Sequence, residues 1–212
     1  GIASRGLGDV YKRQQVMSVS FPRWIDGPPK YEYFSFIGDN EDGYGSEYMT
    51  IKANALTPIP NDWSLQEAAT LPCAGLTAWR AIMEEGNLQS NETILVQGSG
   101  GVSIFALQLA KAHGANVIAT TSSDEKAEKL KSLGADEVVN YKEHPQWGKE
   151  VLKLTANEGV DHVVEVAGGE SFNESIRCAK LGGHISIIGI LDGNTSEIPV
   201  SYTHLTLPTM LW

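Results

Sequence analysis

The middle of the chain reads Thr93-Ile94-Leu95-Val96-Gln97-Gly98-Ser99-Gly100-Gly101-Val102-Ser103, an apolar run that leads through glycines into a second apolar stretch. The order is that of a buried strand, a glycine turn and the start of a helix. Gly98 allows a tight turn, Gly100 lets the backbone approach a pyrophosphate, and Ser103 keeps the third position small, so that helix and strand pack closely. The helix N-terminus, with its free N–H groups and favourable dipole, would face the phosphates. These residues predict the first unit of a dinucleotide-binding fold; a turn that merely packs tightly is the alternative.

Downstream of this turn, short apolar runs alternate with longer runs of helical periodicity. We predict strands at residues 93–97, 117–120, 137–140, 162–165 and 184–188, with helices between them at 102–113, 124–133, 147–155 and 171–181. Strands that alternate with helices form a parallel sheet with right-handed crossovers. The expected fold class is α/β, a Rossmann doubly wound parallel sheet with five of its six strands, over residues 92–199.

Upstream of the turn, regular periodicity is scarce. Residues 15–63 are rich in Gly, Pro and aromatic residues, and within them only the stretch 46–52 has the pattern of a strand. Residues 64–91 are predicted to form connecting helices, because Ser64 and Glu67 have the spacing of a capping box. Pro72 would restart the helix and Gly86 would end it. The chain is thus expected to hold the end of one domain, a helical connection and most of a second domain.

Composition and charge narrow the classes of function. With a formal net charge of -10 and basic residues scattered singly, the chain lacks the clustered Lys and Arg that a nucleic-acid groove needs. No apolar run approaches the roughly 18 to 20 residues that span a bilayer. Cys73 and Cys178 lie far apart, without a CxxC pair or a His at metal spacing, so neither a disulfide framework nor a zinc module is indicated. We expect a cytoplasmic protein that acts on small molecules, with no nucleic-acid and no membrane partner.

The two ends of the chain mirror each other at the level of DNA. Asp9 to Gln14 can be written GAT GTG TAT AAG AGA CAG, whose reverse complement encodes Val200 to His204 in another frame. The shared sequence resembles the mosaic end of a transposon used in library preparation, and the flanking residues resemble translated sequencing adapters. We therefore expect residues 1–14 and 200–212 to be adapter translation around a natural segment, with ordinary terminal loops as the alternative.

The end of the second sheet strand bears on the choice between NAD(H) and NADP(H). An Asp or Glu at the strand tip would hydrogen-bond the ribose 2′-hydroxyl of NAD. Here the strand ends in Thr and Ser, and Ser122, Ser123 and Lys126 could hydrogen-bond and neutralise a 2′-phosphate. Asp124 and Glu125 fit better as acids in the first turn of the next helix, where the helix dipole favours them. The pattern favours NADP(H) over NAD(H).

Three groups of residues together resemble one family. They are Leu71-Pro72-Cys73-Ala74-Gly75-Leu76-Thr77-Ala78-Trp79, then Val96-Gln97-Gly98-Ser99-Gly100-Gly101-Val102, then Leu133-Gly134-Ala135-Asp136 with Asn140-Tyr141. The combination resembles the medium-chain dehydrogenase/reductase superfamily, in particular its zinc-free, quinone-oxidoreductase-like branch of NAD(P)-dependent alcohol dehydrogenases. The resemblance implies a GroES-like, β-rich catalytic domain, of which residues 15–63 would be the C-terminal part. It also implies a cleft between the two domains where the nicotinamide meets the substrate.

By matched position, the resemblance implies further cofactor contacts. Thr77 would lie near the nicotinamide, Tyr141 near the adenosine 2′-phosphate, and residues 166–168 and 188–190 along the strand tips that carry the cofactor. No residue of the chain is identified as the catalytic proton donor. The candidate cofactor-binding residues are Thr77, Gly98, Ser99, Gly100, Gly101, Val102, Ser122, Ser123, Lys126, Tyr141, Val166, Ala167, Gly168, Ile188, Gly189 and Ile190.

Zinc is the main question that the family raises. In zinc-dependent relatives a Cys at the position of Cys73 is a catalytic ligand, and the other ligands would precede Gln15. Residues 21–47 lack the cysteines of a structural zinc lobe. We expect no metal site, with Cys73 as a small buried residue at the domain junction.

Four other ionisable residues are expected to have structural roles. His113 would partner a helix dipole at a helix C-terminus. His162 and His184 would lead into buried strands without a carboxylate or serine partner. Glu165, one residue before a strand tip, could bond ribose, or it could act as a cap or face solvent.

The resemblance implies hydride transfer between a nicotinamide cofactor and a carbonyl, alcohol, enone or quinone. A zinc-dependent alcohol dehydrogenase and a non-catalytic NADPH-binding protein are the alternatives. Without zinc, catalysis would rest on positioning and on hydrogen bonds to the substrate carbonyl. We expect the chain by itself to be an inactive fragment, its parent to be a homodimer, and the missing last strand to leave an exposed sheet edge.

Overall fold

The computed structural model describes residues 14–193 and residue 197. The chain divides into two compact units, Gly1–Cys73 and Ala74–Trp212. Apart from residue 14, the stretches that we assign to adapter translation lie outside the described residues, so that hypothesis stays a prediction. Within the described part of the chain, no helix has the length and apolar character needed to cross a membrane.

The first unit is irregular apart from a small antiparallel sheet. Strands β1 (Val16–Ser18) and β2 (Leu56–Pro58) pair with Met17 opposite Thr57. Single turns of 3-10 helix lie at Tyr31–Tyr33 and Ala53–Ala55. This scarcity of regular structure agrees with the scarcity of periodicity in the sequence of the unit.

The strand predicted at residues 46–52 is wrong. These residues form no strand, and all except Ile51 are exposed. A run of extended residues becomes a strand only when a neighbour supplies hydrogen bonds, and β1 pairs with β2 instead. The polar and aromatic pattern of residues 46–52 therefore belongs to an exposed loop.

Helix α1 (Leu65–Ala68) begins with the capping box that the sequence predicts. The Ser64 hydroxyl accepts a hydrogen bond from the Glu67 N–H at 3.2 Å, and Glu67 Oε2 accepts one from the Ser64 N–H at 2.8 Å. Hydrogen bonds from the side chain and backbone of Ser64 hold the pKa of Glu67 below its ordinary value. The helical path continues as a π turn, Leu71–Gly75, in which Pro72 lies as predicted.

The second unit is an α/β domain, as the sequence predicts. It opens with helix α2 (Leu76–Trp79) and a π turn, Arg80–Glu84, after which the chain leaves the helix near Gly86. Its sheet consists of β3 (Thr93–Gln97), β4 (Asn116–Thr121), β5 (Glu137–Asn140), β6 (Val160–Glu165) and β7 (Ala179–Ile187). The helices between these strands are α3 (Gly101–His113), α4 (Asp124–Ser132), α5 (Trp147–Leu154) and α6 (Ser171–Cys178).

The sheet has the strand order of a doubly wound fold. All five strands pair in parallel, in the order β5-β4-β3-β6-β7. From β3 the chain moves to β4 and β5 on one side, then returns to place β6 and β7 on the other side. Ligands of such sheets bind outside the carboxyl ends of the strands, where the strand order reverses. The glycine turn follows β3 and therefore lies at this switch point.

Apolar side chains on both faces of the sheet form the core. Ile94 and Val96 of β3 pack in one buried cluster with residues of α2, α3 and α4, whereas Leu95 packs in a second cluster with residues of α5 and α6. All three side chains are fully buried. The continuous apolar run of β3 is thus explained by helices that cover both of its faces.

The boundary between α6 and β7 differs from the prediction. The helix predicted at 171–181 ends at Cys178, and β7 begins at Ala179, which pairs with Val160. A side chain at Gly159 would lie 2.8 Å from the carbonyl oxygen of Cys178. Because Gly159 has no side chain, the chain can leave α6 directly beside β6, and pairing with β6 ends the helix early.

Candidate functional site

The glycine turn joins β3 to α3 in the conformation that the sequence predicts. Gly98 has φ +71°, a left-handed conformation that favours glycine, and its N–H donates to Thr120 O at 2.9 Å. Gly100 is the N-cap of α3, while Ser99 and Val102 are half-buried in the same turn. A Cβ atom at Gly98 or Gly100 would meet no other atom within 4 Å, so the backbone here is open to a ligand. The turn therefore fits the phosphates of a dinucleotide, which need both free N–H groups and room.

Ser103 packs closely at the start of α3 and also forms a hydrogen bond. Its hydroxyl donates to Gln97 O at 2.6 Å, and the residue is 1% exposed. A Cβ atom at Gly101 would lie 3.3 Å from Ala74 Cβ, so the first turn of α3 lies against the helical segment that carries Thr77. Thr77 is half-buried in α2, between two π turns. Such turns are frequent at functional sites in helices.

The tips of β4 and β5 bring together three of the residues predicted for a 2′-phosphate. Thr121 pairs with Asn140, and the Tyr141 N–H donates to Thr121 O at 2.9 Å. Ser123 is the N-cap of α4, and its hydroxyl oxygen accepts a hydrogen bond from the Lys126 N–H at 3.4 Å. Lys126 is exposed and Tyr141 is 40% exposed. Lys126 and Tyr141 are thus accessible residues that follow the tips of two neighbouring strands, and Ser123, which precedes Lys126 in the chain, caps α4.

The two acids after β4 lie where the sequence predicts. Asp124 and Glu125 are both in the first turn of α4, where the helix dipole stabilises negative charge. Asp124 Oδ1 lies 3.5 Å from the Asn140 side-chain amide, a long contact directed towards β5. Ser122, between the strand and this turn, is half-buried.

The loops after β6 and β7 lie against each other. The Ile188 N–H donates to Glu165 O at 2.8 Å, and the Asp192 N–H donates to Ala167 O at 2.6 Å. A Cβ atom at Gly189 would overlap the carbonyl group of Val166. The candidate ranges 166–168 and 188–190 are therefore brought into direct contact at the carboxyl edge of the sheet.

A buried polar cluster lies beneath these loops, and sequence reasoning missed two of its three members. Glu165 is fully buried, so it neither faces solvent nor is open to a ribose. It does not cap α6 either, because the N-cap of that helix is Glu170. Its Oε1 atom accepts hydrogen bonds from the Ala167 and Gly168 N–H groups, both at 2.8 Å. Its Oε2 atom accepts from the Gln97 side chain at 2.7 Å and from the Ser175 hydroxyl. A polar residue at the last position of an apolar strand was the available signal for Gln97.

Most of the candidate residues gather at one edge of the sheet. Because β3 to β7 are parallel, the glycine turn and the residues after β4, β5, β6 and β7 all follow carboxyl ends. Thr77 is the exception, since it lies on α2, a helix that packs on α3. The arrangement is that of a dinucleotide site at a topological switch point.

The prediction that His162 and His184 have no carboxylate or serine partner is wrong. His162 Nε2 lies 2.9 Å from Glu92 Oε2, and His184 Nε2 lies 2.9 Å from the Ser186 hydroxyl. Burial, together with nearby His162, lowers the pKa of His184. Both histidines lie in strands. The partner of His162 is in the loop before β3, 70 residues upstream, and the partner of His184 is two residues along β7. His113 ends α3, as predicted.

The described residues supply no set of ligands for zinc. Residues 14–193 and 197 contain no group of three or more His, Cys, Asp or Glu placed to hold a metal ion. Cys73 is exposed, so the prediction that it is buried is wrong. Burial raises the pKa of Cys178 strongly, which keeps this thiol protonated and unsuited to metal binding.

A groove elsewhere on the second unit holds none of the candidate cofactor residues. It has a volume of about 480 Å³ and lies along β5 between α4 and α5, where Lys131, Asn140 and Lys153 contribute to its walls. Acidic and basic side chains alternate around it, so it offers no single charge to a ligand.

Comparison with known proteins shows one family over the second half of the chain. The family model described as zinc-binding dehydrogenase matches residues 101–211. A zinc-type alcohol dehydrogenase-like protein of Schizosaccharomyces pombe is 42% identical over 192 residues, which cover 88% of this chain and 56% of that protein. A Leishmania amazonensis protein named as a quinone oxidoreductase is 36% identical over 183 residues, covering 82% of this chain and 53% of that protein. The chain spans about half the length of the curated relatives it matches.

Solved structures with the same fold carry related names. A protein described as an alcohol dehydrogenase from Sinorhizobium meliloti 1021 matches with a TM-score of 0.85 and 38% identity, over 93% of this chain and 60% of that one. An NAD-dependent alcohol dehydrogenase matches with a TM-score of 0.74 and 35% identity, over 84% and 52%. A mycobacterial protein complexed with NADPH matches with a TM-score of 0.66 and 28% identity, over 74% and 50%. The names of these structures thus include both nicotinamide cofactors.

Proposed function

The chain belongs to the zinc-binding dehydrogenase family of the medium-chain dehydrogenase/reductase superfamily, and we propose that its second unit binds NADP(H) for hydride transfer. The substrate class of the whole protein is a carbonyl, alcohol, enone or quinone. Relatives named as alcohol dehydrogenase and quinone oxidoreductase support this range.

One observation carries the proposal, namely the glycine turn at the switch point of the sheet. Gly98 has a left-handed conformation, and the space beside Gly98 and Gly100 is free of other atoms. A phosphate can approach such a backbone, where the N–H groups at the start of α3 and the helix dipole favour negative charge.

The other candidate residues extend this site along the sheet edge. The N–H groups of residues 99–102 would hold the pyrophosphate, and the loops 166–168 and 188–190 would line the cofactor towards its nicotinamide end. Thr77 would lie near the nicotinamide, which supplies or accepts the hydride when the cofactor is bound. We assign the chain a role in binding, orienting and shielding the cofactor, and no catalytic proton donor or metal ligand.

The preference for NADP(H) rests on the tip of β4. Lys126 places an exposed cation in the first turn of α4, close in sequence to Ser122 and Ser123, and Tyr141 lies on the neighbouring tip. A charge-assisted hydrogen bond to a phosphate is worth about 1.5–3 kcal/mol, which corresponds to about tenfold or more in affinity.

Equilibrium binding of NADPH and NADH to the chain tests the proposal, with the fluorescence of the dihydronicotinamide as the signal. We expect both nucleotides to bind and NADPH to bind about tenfold more tightly. Equal affinities would remove the NADP(H) preference. The absence of binding by either nucleotide would contradict the proposed function itself.

Turnover is tested on the full-length protein, with NADPH oxidation measured against a panel of aldehydes, enones and quinones. We expect activity on at least one of these classes. Tight NADPH binding without turnover would favour a non-catalytic role. An activity lost on chelation and restored by zinc would favour the zinc-dependent alternative, in which Cys73 would be one ligand and the other ligands would precede Gln15.

A further inference from the structure

We infer that Gln97 is a positioning residue, which fixes the loop 166–168 relative to the glycine turn, and that Glu165 and Ser175 hold its amide in one orientation. The inference rests on the proposed function, because it concerns the two walls of the proposed cofactor site. Gln97 is the last residue of β3 and immediately precedes Gly98.

The Gln97 side chain has a partner for each of its polar atoms. Its Oε1 atom accepts hydrogen bonds from the Val166 and Ala167 N–H groups at 3.0 and 3.1 Å. Its Nε2 atom donates to Glu165 Oε2 at 2.7 Å and to the Ser175 hydroxyl at 2.8 Å. The residue is 5% exposed, so water cannot readily replace these partners.

Glu165 determines which way the amide points. All four of its contacts are donors: the Gln97 amide, the Ser175 hydroxyl and the N–H groups of Ala167 and Gly168. A carboxylate that accepts every bond around it is satisfied as an anion. If the Gln97 amide were flipped, its NH₂ group would face two backbone N–H groups and its oxygen would face a carboxylate. The buried charge therefore permits a single arrangement of the cluster.

Gln97 joins both walls of the proposed site through one residue. Its carbonyl oxygen accepts the Ser103 hydroxyl at 2.6 Å, which ties it to the first turn of α3. Its side chain holds the loop after β6, on the neighbouring strand. The phosphate-facing turn and the loop 166–168 thus keep a fixed spacing. An apolar residue at position 97 would take the acceptor away from the half-buried Val166 N–H, whereas the Ala167 N–H would keep Glu165 Oε1.

An exchange of the two side chains tests this arrangement. In Gln97→Glu two carboxylates face each other, and in Glu165→Gln two amides face each other. The double variant restores every donor–acceptor pair with the charge moved to position 97. We expect each single variant to bind NADPH at least about tenfold more weakly and the double variant to return to within about threefold of the unmodified chain. Gln108→Glu, on the exposed face of α3, is the matched control and should leave binding unchanged.

Hydrogen exchange of the ligand-free chain gives a readout that needs no cofactor. The amides of residues 166–168 should exchange faster in both single variants and regain protection in the double variant, while the amides of residues 117–119 in β4 stay unchanged. A purely structural role for Gln97 would instead change exchange throughout the sheet. Such a general change, or single variants that bind and exchange like the unmodified chain, would overturn the inference.

The outcomes separate this inference from the proposed function. If the unmodified chain binds no nicotinamide nucleotide but exchange at 166–168 follows the expected pattern, the proposed function fails and the tie between the loops stands. If the chain binds NADPH but the double variant is no better than the single variants, the inference fails alone. Should a single variant not fold, Ser175→Ala removes one hydroxyl, and we expect a two- to fivefold loss of NADPH affinity. Unchanged affinity in that variant would overturn the inference.

Discussion

Lys126 is the residue whose removal should separate the two cofactors. Lys126→Ala leaves the backbone N–H that bonds Ser123, so α4 keeps its cap. We expect NADPH binding to weaken about five- to tenfold and NADH binding to change less than about twofold, because only the 2′-phosphate gains from the cation. Fluorescence titrations of both nucleotides measure the difference. Lys129→Ala, which is also exposed on α4, serves as the control. If Lys126→Ala weakened the binding of both nucleotides equally, Lys126 would not contact the 2′-phosphate.

The role of a single residue can be predicted from the sequence more reliably when it depends on local conformation than when it depends on a distant partner. The positive φ of Gly98 and the capping box of Ser64 follow from neighbours in the chain. The partner of Gln97 lies 68 residues away at Glu165, and that of His162 lies 70 residues away at Glu92. A linear pattern does not encode such pairs, so the buried cluster appears only once the strands are in register.

Among the elements, β3, β6 and β7 are joined at their amino ends by Asp161. Its carboxylate accepts from the Thr93 N–H and from the Lys180 ammonium group, both at 2.9 Å. Burial raises the pKa of Asp161, but the hydrogen bonds from Thr93 and Lys180 outweigh it, so the pKa lies below the ordinary value of 3.8. The unfolded chain therefore takes up the proton first as the pH falls. The stabilisation of the folded chain by the Asp161 carboxylate is fully present above pH 3.8. It is lost as the pH falls through the lower pKa that Asp161 has in the folded state.

Asp161→Asn should reveal this contribution. We expect the free energy of unfolding to fall by about 1 kcal/mol at pH 7, because the charge-assisted bond to Lys180 is lost. The difference from the unmodified chain should shrink as the pH falls below 3.8, since protonation removes the same charge. Urea denaturation at pH 3 to pH 7 measures it, with the exposed Asp42→Asn as control. A difference that does not change with pH would show that Asp161 acts only through shape.

The predicted boundaries of strands and helices match the structure closely where hydrophobic periodicity and turn-forming residues agree. The predicted strands 93–97 and 137–140 match β3 and β5 residue for residue. The largest errors are the strand at 46–52, the missed strands β1 and β2, and the boundary between α6 and β7, and all fall where pairing between strands decides the structure. Pairing depends on residues distant in sequence, so local pattern alone could not have corrected them.

At the scale of the whole molecule, β7 is the strand where association is expected. Among the described residues β7 pairs only with β6, and its Leu181 is 91% exposed. An apolar edge strand with free N–H and C=O groups favours pairing with another chain. Leu181→Lys should weaken concentration-dependent self-association at least about tenfold, as measured by sedimentation velocity. Leu154→Lys, at the end of α5, is the control, and undiminished association of the Leu181 variant would place the contact elsewhere.

Because Ile94 and Val96 face one layer of helices and Leu95 the other, we expect evolution to conserve the length of β3. Insertion of one codon within β3 would exchange its two faces, since side chains alternate along a strand. The Gln97 side chain would then point away from α6. Each apolar cluster would contain β3 side chains whose size and shape fit the other cluster. Lineages that descend from this gene should accumulate length changes in exposed loops outside the proposed site, such as residues 142–146, and tolerate only substitutions within β3.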